Sequence, residues 1–128
     1  LKFYERLVTK GDNSFGSGLT CAEKLLKRAN PPTAIFTAND DMAAAVIQAA
    51  DRLGVKVPEQ LSVAGFDDIA LAQLVFPRLT TIKQPLPTMA ERAASLLIAG
   101  KTDAQPKHDT ELFPSVFRIR ESTGPAPA

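Results

Sequence analysis

Two short apolar runs, each ending on amide or acidic side chains, constrain the fold of this chain more than any other feature. Residues 33–40 read Thr-Ala-Ile-Phe-Thr-Ala-Asn-Asp, and residues 61–68 read Leu-Ser-Val-Ala-Gly-Phe-Asp-Asp. Between them, apolar residues recur at helical spacing up to Gly54, a residue type that commonly ends helices. This order of strand, helix and strand predicts two parallel strands joined by a crossover helix.

The polar ends of these runs predict a binding site. Asn39 and Asp67 follow the two predicted strands, and Gln84 ends a third. The carboxyl ends of parallel strands share one sheet edge, where α/β proteins bind small ligands. Amide and carboxylate groups can hydrogen-bond the hydroxyls of a sugar or the edge of a nucleobase. The alternative is that Asn39 and Asp67 only cap the helices that follow them.

The composition favours a single globular domain over a nucleic-acid-binding or membrane-spanning protein. With 128 residues and 45% hydrophobic content, the chain can form one domain with a core. A formal net charge of +1 does not indicate a nucleic-acid surface, and no helix-turn-helix pattern precedes the first strand. Cys21 is the single cysteine, so we expect a buried small hydrophobe. No apolar run is long enough to span a membrane.

The residues that could support catalysis or bind a metal form no convincing cluster. The pairs Asp40-Asp41 and Asp67-Asp68 could be metal ligands, but adjacent residues at a strand–helix junction point in different directions. His108 is the one histidine, and no serine or cysteine lies in a nucleophile elbow. We therefore predict no metal site, no cofactor and no enzymatic activity.

The remaining elements follow from periodicity and from Gly and Pro positions. Helices are predicted over residues 15–29, with Ser14 as N-cap, and over residues 41–53, 69–75 and 88–99. Strands are predicted over residues 3–9, 34–38, 62–66, 80–84, 111–113 and 116–119, in one continuous sheet.

The helix predicted over residues 41–53 is rich in alanine, which allows close packing within the domain or against a partner subunit. Ala44, Ile47 and Gln48 lie about one turn apart on it. A short apolar patch follows Asp68 and contains Leu71, Leu74 and Val75.

Five segments occur in the order and spacing of a known family. They are residues 32–43, 53–68, 77–85 (Pro-Arg-Leu-Thr-Thr-Ile-Lys-Gln-Pro), 89–94 and 117–123 (Phe-Arg-Ile-Arg-Glu-Ser-Thr). Across nearly its whole length the chain resembles the C-terminal part of the lactose/galactose-repressor (LacI/GalR) family of bacterial transcription regulators.

The resemblance implies a periplasmic-binding-protein-like α/β fold, in which a parallel sheet flanked by helices forms each of two lobes around an effector cleft. Residues 1–82 would belong to the C-terminal lobe and residues 83–114 would cross into the N-terminal lobe. Residues 115–128 would form a return strand and tail, so a single continuous sheet would be wrong. Most of the N-terminal lobe and the DNA-binding domain would lie upstream.

The resemblance also implies roles for individual residues. Asn39 and Asp67 match positions that contact the effector, and Gln84 matches a position near the hinge. Asn13 replaces an aromatic residue that often stacks on the ligand, and Phe15 could substitute for it.

The implied function is the effector-sensing and dimerising domain of a cytoplasmic repressor. It would bind a sugar-like molecule, form a homodimer and act on operator DNA through an absent helix-turn-helix domain. No association with a membrane is expected. The dimer surface would contain Ala44, Ile47, Gln48, Leu71, Leu74 and Val75. The alternative is a periplasmic sugar-binding protein of a transporter, which upstream sequence would distinguish.

Overall fold

The computed structural model describes residues 4–98 and 110–127, and its described strands form one four-stranded sheet. The strands are β1 (Ala34–Phe36), β2 (Ser62–Asp67), β3 (Thr80–Lys83) and β4 (Val116–Arg118), and they lie in the order β1-β2-β3-β4. Strands β1, β2 and β3 are parallel, and β4 is antiparallel to β3. The predicted parallel pair joined by a crossover helix is therefore confirmed.

The helices follow the predicted apolar periodicity closely. They are α1 (Phe15–Leu26), α2 (Asp40–Arg52), α3 (Leu71–Leu74) and α4 (Leu86–Ile98), and a 3-10 helix spans Glu5–Leu7. The predicted N-cap is confirmed, since the Ser14 hydroxyl accepts a hydrogen bond from the Ser17 amide at 3.1 Å. Gly54 follows α2 with a φ of 71°, the left-handed conformation that glycine adopts most easily.

The core lies between helices α1 and α2 and the sheet. Its larger members are Leu25, Leu26, Ile35, Val46, Ile47, Leu61, Val63 and Leu79. Helix α1 approaches α2 closely at Gly18, where an added Cβ would lie 2.8 Å from the Ala45 Cβ and 2.9 Å from the Met42 Cα. The small residues of α2 thus allow tight packing within the domain. Cys21 is free and buried, as predicted.

Two predicted strands are wrong within the described residues. Glu5–Leu7 forms a 3-10 helix, whose backbone is satisfied locally by the Leu7 amide donating to the Tyr4 carbonyl at 2.9 Å. Residues 111–113 are irregular, and Pro114 after them lacks the amide needed for a sheet hydrogen bond. Helix α1 also ends three residues earlier than predicted, at Leu26.

Helix α4 differs from the other long helices because it buries none of its described residues. It connects β3 to β4, and β4 returns to the same sheet beside β3. The four described strands therefore make one sheet, while the predicted domain boundaries at residues 82 and 114 stay a prediction. The predicted loop containing His108 and the predicted helix end at Ala99 lie outside the described residues. Among the described helices, none combines the length and apolar character that crossing a membrane requires.

Candidate ligand-binding site

The sheet topology brings three predicted site residues to one edge. Asp67 is the last residue of β2, Gln84 directly follows β3, and Asn39 lies three residues after β1. Because these strands are parallel and β2 lies between the other two, Asp67 is central and the other residues flank it. In open α/β sheets this carboxyl edge is the usual position of a ligand.

Asp67 and Gln84 are in direct contact. The Gln84 side-chain amide donates from Nε2 to Oδ1 of Asp67 at 2.7 Å. The second carboxylate oxygen of Asp67 receives no hydrogen bond from residues 4–98 or 110–127, and the residue is half-buried. This oxygen keeps its capacity to accept a hydrogen bond.

The backbone at Asp67 and Asp68 has an unusual conformation. Their φ angles are 112° and 58°, in a region that residues other than glycine rarely adopt. Such conformations cost on the order of 1–3 kcal/mol each and persist only where the surroundings hold them. We call residues 67–69 the site turn.

Arg120 holds one side of the site turn. Its Nη2 atom lies 2.5 Å from Oδ1 of Asp68, and the side chains are 18% and 7% exposed, respectively. The same guanidinium donates from Nη1 to the carbonyl of Leu79 at 2.7 Å. Because the arginine is anchored to the chain before β3, the ion pair also fixes the position of Asp68.

Asp40 contacts the last residue of the site turn, Ile69, and the sequence analysis did not predict this contact. Its fully buried carboxylate accepts a hydrogen bond from the Thr81 hydroxyl at 2.5 Å and from the Ile69 amide at 2.9 Å. Burial raises the pKa of Asp40 above its ordinary value, and the negative charge of Asp67 acts in the same direction. The two hydrogen bonds oppose this rise because they favour the charged form.

A glycine in β2 makes room for Asp40. A Cβ added to Gly65 would overlap Oδ1 of Asp40 and lie 3.0 Å from Cδ2 of Leu79. A glycine inside a predicted strand often marks a close approach of this kind. Gly65 was therefore the sequence signal that could have drawn attention to a buried neighbour at this position.

Asn39, which follows β1, contacts Asn13, which precedes α1. Asn39 caps α2 by accepting from the Met42 amide at 2.9 Å, and its Nδ2 donates to the Asn13 carbonyl at 2.9 Å. The capping alternative therefore holds for Asn39, while one lone pair and one N–H of its side-chain amide have no hydrogen-bond partner among the described residues. It does not hold for Asp67, because the N-cap position of α3 is Ala70 and no side chain caps that helix. Asn13 has a φ of 67°, and Phe15 begins α1 with a partly exposed ring. Asp67 and Gln84 are not hydrogen-bonded to Asn39 or Asn13.

A largely apolar cavity of about 280 Å³ is lined by residues of α1, β1 and α2. Asn13, Thr37 and Met42 contribute to its lining, whereas Asp67 and Gln84 do not. Across the part of the chain that the structure describes, no group of three or more His, Cys, Asp or Glu residues is arranged to hold a metal ion.

The residues predicted to form a dimer surface differ in exposure. Ala44 and Ile47 are 5% and 7% exposed, because contacts within the chain already bury them. Leu71 and Val75 are half-buried, whereas Gln48 is exposed and Leu74 is 78% exposed. Phe76, which the sequence analysis did not select, is also exposed.

Comparison with known proteins shows the family. The model of the periplasmic binding protein-like domain matches residues 1–123. The chain is 38% identical over 113 residues to the probable HTH-type transcriptional repressor ExuR of Bacillus subtilis, covering 88% of this chain and 34% of that protein. It is 43% identical over 124 residues to the HTH-type transcriptional regulator DegA of the same organism, covering 94% and 36%. The chain thus spans about a third of the length of the curated relatives it matches.

Solved structures agree with this relationship. The CelR transcriptional regulator–cellobiose complex superposes with a TM-score of 0.86 at 32% identity, covering 95% of this chain and 37% of that one. A LacI family regulator from Enterococcus faecium with bound ribose gives a TM-score of 0.72 at 29% identity, covering 92% and 42%. These matches confirm the α/β fold and the resemblance to the LacI/GalR regulators. The chain belongs to the periplasmic binding protein-like domain family.

Proposed function

We propose that this chain is the effector-sensing and dimerising part of a cytoplasmic bacterial transcriptional repressor. In this proposal a small sugar-like molecule binds at the sheet edge formed by Asn39, Asp67 and Gln84. Operator DNA is bound by a helix-turn-helix domain elsewhere in the protein. The names of the relatives, which are HTH-type repressors and regulators, support this role over that of a periplasmic transport protein.

The observation that supports the proposal is the position and hydrogen bonding of the Asp67 carboxylate. Its carboxylate lies at the end of the central parallel strand, where one oxygen accepts a hydrogen bond from Gln84 and the other accepts none from the described residues. A carboxylate in this arrangement accepts hydrogen bonds from a hydroxyl-rich ligand, and such bonds to a charged acceptor are stronger than neutral ones. Sugars bound by structural neighbours, cellobiose and ribose, have this chemistry.

The effector would act by shifting a population. It stabilises the arrangement of the two lobes in which both contact it, and the paired DNA-binding domains change their relative position accordingly. The coupling is reciprocal, so a sugar that weakens operator binding must itself bind more weakly when operator is present.

The test uses the full-length protein and a panel of neutral mono- and disaccharides that includes cellobiose and ribose. Thermal shift identifies the sugars that bind, and isothermal titration calorimetry then measures Kd for the wild type and for Asp67→Asn. Because Asp67→Asn replaces a charged acceptor by a neutral one, we expect the Kd to rise about tenfold or more.

The matched control is Asp51→Asn, which removes a carboxylate from an exposed position on α2. Its Kd should stay within about twofold of the wild-type value. Absence of binding by every sugar in the panel, or equal Kd values for wild type and Asp67→Asn, contradicts the proposed function.

We further propose that the protein forms a homodimer through the exposed residues Gln48, Leu74 and Phe76, next to the half-buried Leu71 and Val75. Leu74 and Phe76 are large apolar side chains that are mostly exposed, and neighbouring exposed apolar side chains are typical of contact surfaces. A two-fold interface would bring this patch against its own copy. Ala44 and Ile47 would support the interface from beneath, since both are buried within the chain.

A further inference from the structure

Each of the three residues of the site turn is contacted by a side chain from a different part of the chain. Gln84 contacts the Asp67 side chain, Arg120 pairs with the Asp68 side chain, and Asp40 accepts from the Ile69 amide. Two of the three residues adopt positive φ angles. The turn is thus a strained backbone conformation that long-range side-chain contacts maintain.

The hydrogen bond from the Ile69 amide differs from the other two contacts. Gln84 and Arg120 act on side chains, whereas Asp40 holds the backbone immediately after the two strained residues. Asp40 is fully buried in the first turn of α2 and is also bonded to Thr81 of β3, so both a helix and a strand fix its position. Gly65 provides the space that its carboxylate occupies.

We propose that Asp40 is a positioning residue that holds the site turn so that the Asp67 carboxylate faces the effector. This inference rests on the proposed function of Asp67 as an effector-binding group. Asp40 itself is buried beneath the edge and contacts the backbone of the turn, so it acts through Asp67.

The chemistry of the two contacts separates a conservative replacement from a disruptive one. In Asp40→Asn the amide oxygen can accept from the Ile69 amide, and the NH₂ group can donate to the Thr81 hydroxyl, which also accepts. In Asp40→Ala both contacts are lost and the Ile69 amide is left without its acceptor. A positioning role therefore predicts that Asn preserves the turn and that Ala does not.

The first measurement is hydrogen–deuterium exchange of the full-length protein without ligand, followed in peptides that cover residues 66–72. We expect Asp40→Ala to increase exchange in these peptides at least about tenfold, and Asp40→Asn to remain close to wild type. Ser122→Ala is the control for general destabilisation, because Ser122 bonds to Val63 and Thr80 and not to the turn. Its effect should not concentrate in residues 66–72.

The second measurement is the Kd for cellobiose and ribose by calorimetry in the same variants, with Asp67→Asn alongside. We expect Asp40→Ala to raise the Kd about tenfold, Asp40→Asn to restore it to within about threefold, and Ser122→Ala to leave it unchanged. Should Asp40→Ala fail to fold, Asp40→Ser, which keeps a single short acceptor, takes its place with the same expected direction.

The outcomes distinguish this inference from the proposed function. If Asp67→Asn weakens binding but the Asp40 variants leave both exchange and Kd unchanged, Asp40 is not a positioning residue. If Asp40→Ala and Ser122→Ala change exchange and Kd to the same extent, its role is general stability and the inference is wrong. If neither sugar binds the wild type, or Asp67→Asn binds normally, the proposed function fails, and an effector-directed role for Asp40 fails with it.

Discussion

Ser122 offers the sharpest test of how the C-terminal segment is attached to the sheet. The residue is fully buried, and its hydroxyl donates to the Val63 carbonyl at 2.6 Å and accepts from the Thr80 amide at 2.8 Å. Its backbone carbonyl accepts from the Val63 amide at 2.7 Å. One side chain thus joins the segment to both β2 and β3.

The substitution Ser122→Ala removes only the hydroxyl oxygen. Two neutral hydrogen bonds are lost, and the Val63 carbonyl and the Thr80 amide lose their side-chain partner in a position closed to water. Leaving a buried donor or acceptor unsatisfied costs about 1–3 kcal/mol for each group. We expect the free energy of unfolding to fall by about 2–4 kcal/mol, allowing for partial relaxation.

Urea denaturation of the full-length protein, followed by circular dichroism, measures this loss. The matched control is Ser95→Ala on α4, where an exposed hydroxyl donates to the Glu91 carbonyl at 2.8 Å. Because water can replace that bond, the control should change stability by less than about 0.5 kcal/mol. A loss below about 1 kcal/mol for Ser122→Ala, similar to that of the control, would refute the argument that this hydroxyl links the two strands.

Three further predictions concern the site and the proposed dimer. Gly65→Ala should cost at least about 1–3 kcal/mol in urea denaturation, because the new Cβ overlaps the Asp40 carboxylate; wild-type stability would contradict this packing. Burial raises the pKa of Asp40 above its ordinary value of 3.8, so folding favours the neutral form of this carboxyl group. The stability of the wild type relative to Asp40→Asn should therefore fall as the pH rises through the raised pKa. Thermal denaturation of both proteins from about pH 4 to pH 7 measures this difference, and a constant difference would contradict the prediction. Leu74→Asp should shift the full-length protein toward monomer in analytical ultracentrifugation, since it buries an unpaired charge in the proposed interface, and an unchanged dimer at low micromolar concentration would exclude this surface.

The local pattern of the sequence was sufficient for the secondary structure of the central unit. Apolar runs, helical periodicity and the punctuating residues Ser14 and Gly54 predicted α1, β1, α2 and β2 to within a few residues. The order of these elements then required parallel strands, which placed Asn39 and Asp67 at one edge before any tertiary contact was known. These predictions succeeded because each depends on residues close together in the chain.

The prediction failed where a segment's conformation depends on a neighbour. Residues 3–9 have the pattern of a strand, but no strand among residues 4–98 and 110–127 pairs with them. Glu5–Leu7 forms a 3-10 helix instead. Likewise, the spacing of Ala44 and Ile47 marked an apolar helix face but could not say whether the same chain or a second copy covers it. The tertiary structure shows that contacts within the chain bury both residues.

The sequence alone predicted the α/β fold class and the sheet edge of the candidate site, because the order strand, helix and strand fixes the relative direction of β1 and β2. Only the tertiary structure showed how the site is held. Asp40 contacts Thr81 across 41 residues of sequence, and Arg120 contacts Asp68 across 52. No periodicity connects such distant polar residues, since each contact depends on the way that α2, β3 and the C-terminal segment pack around the site turn.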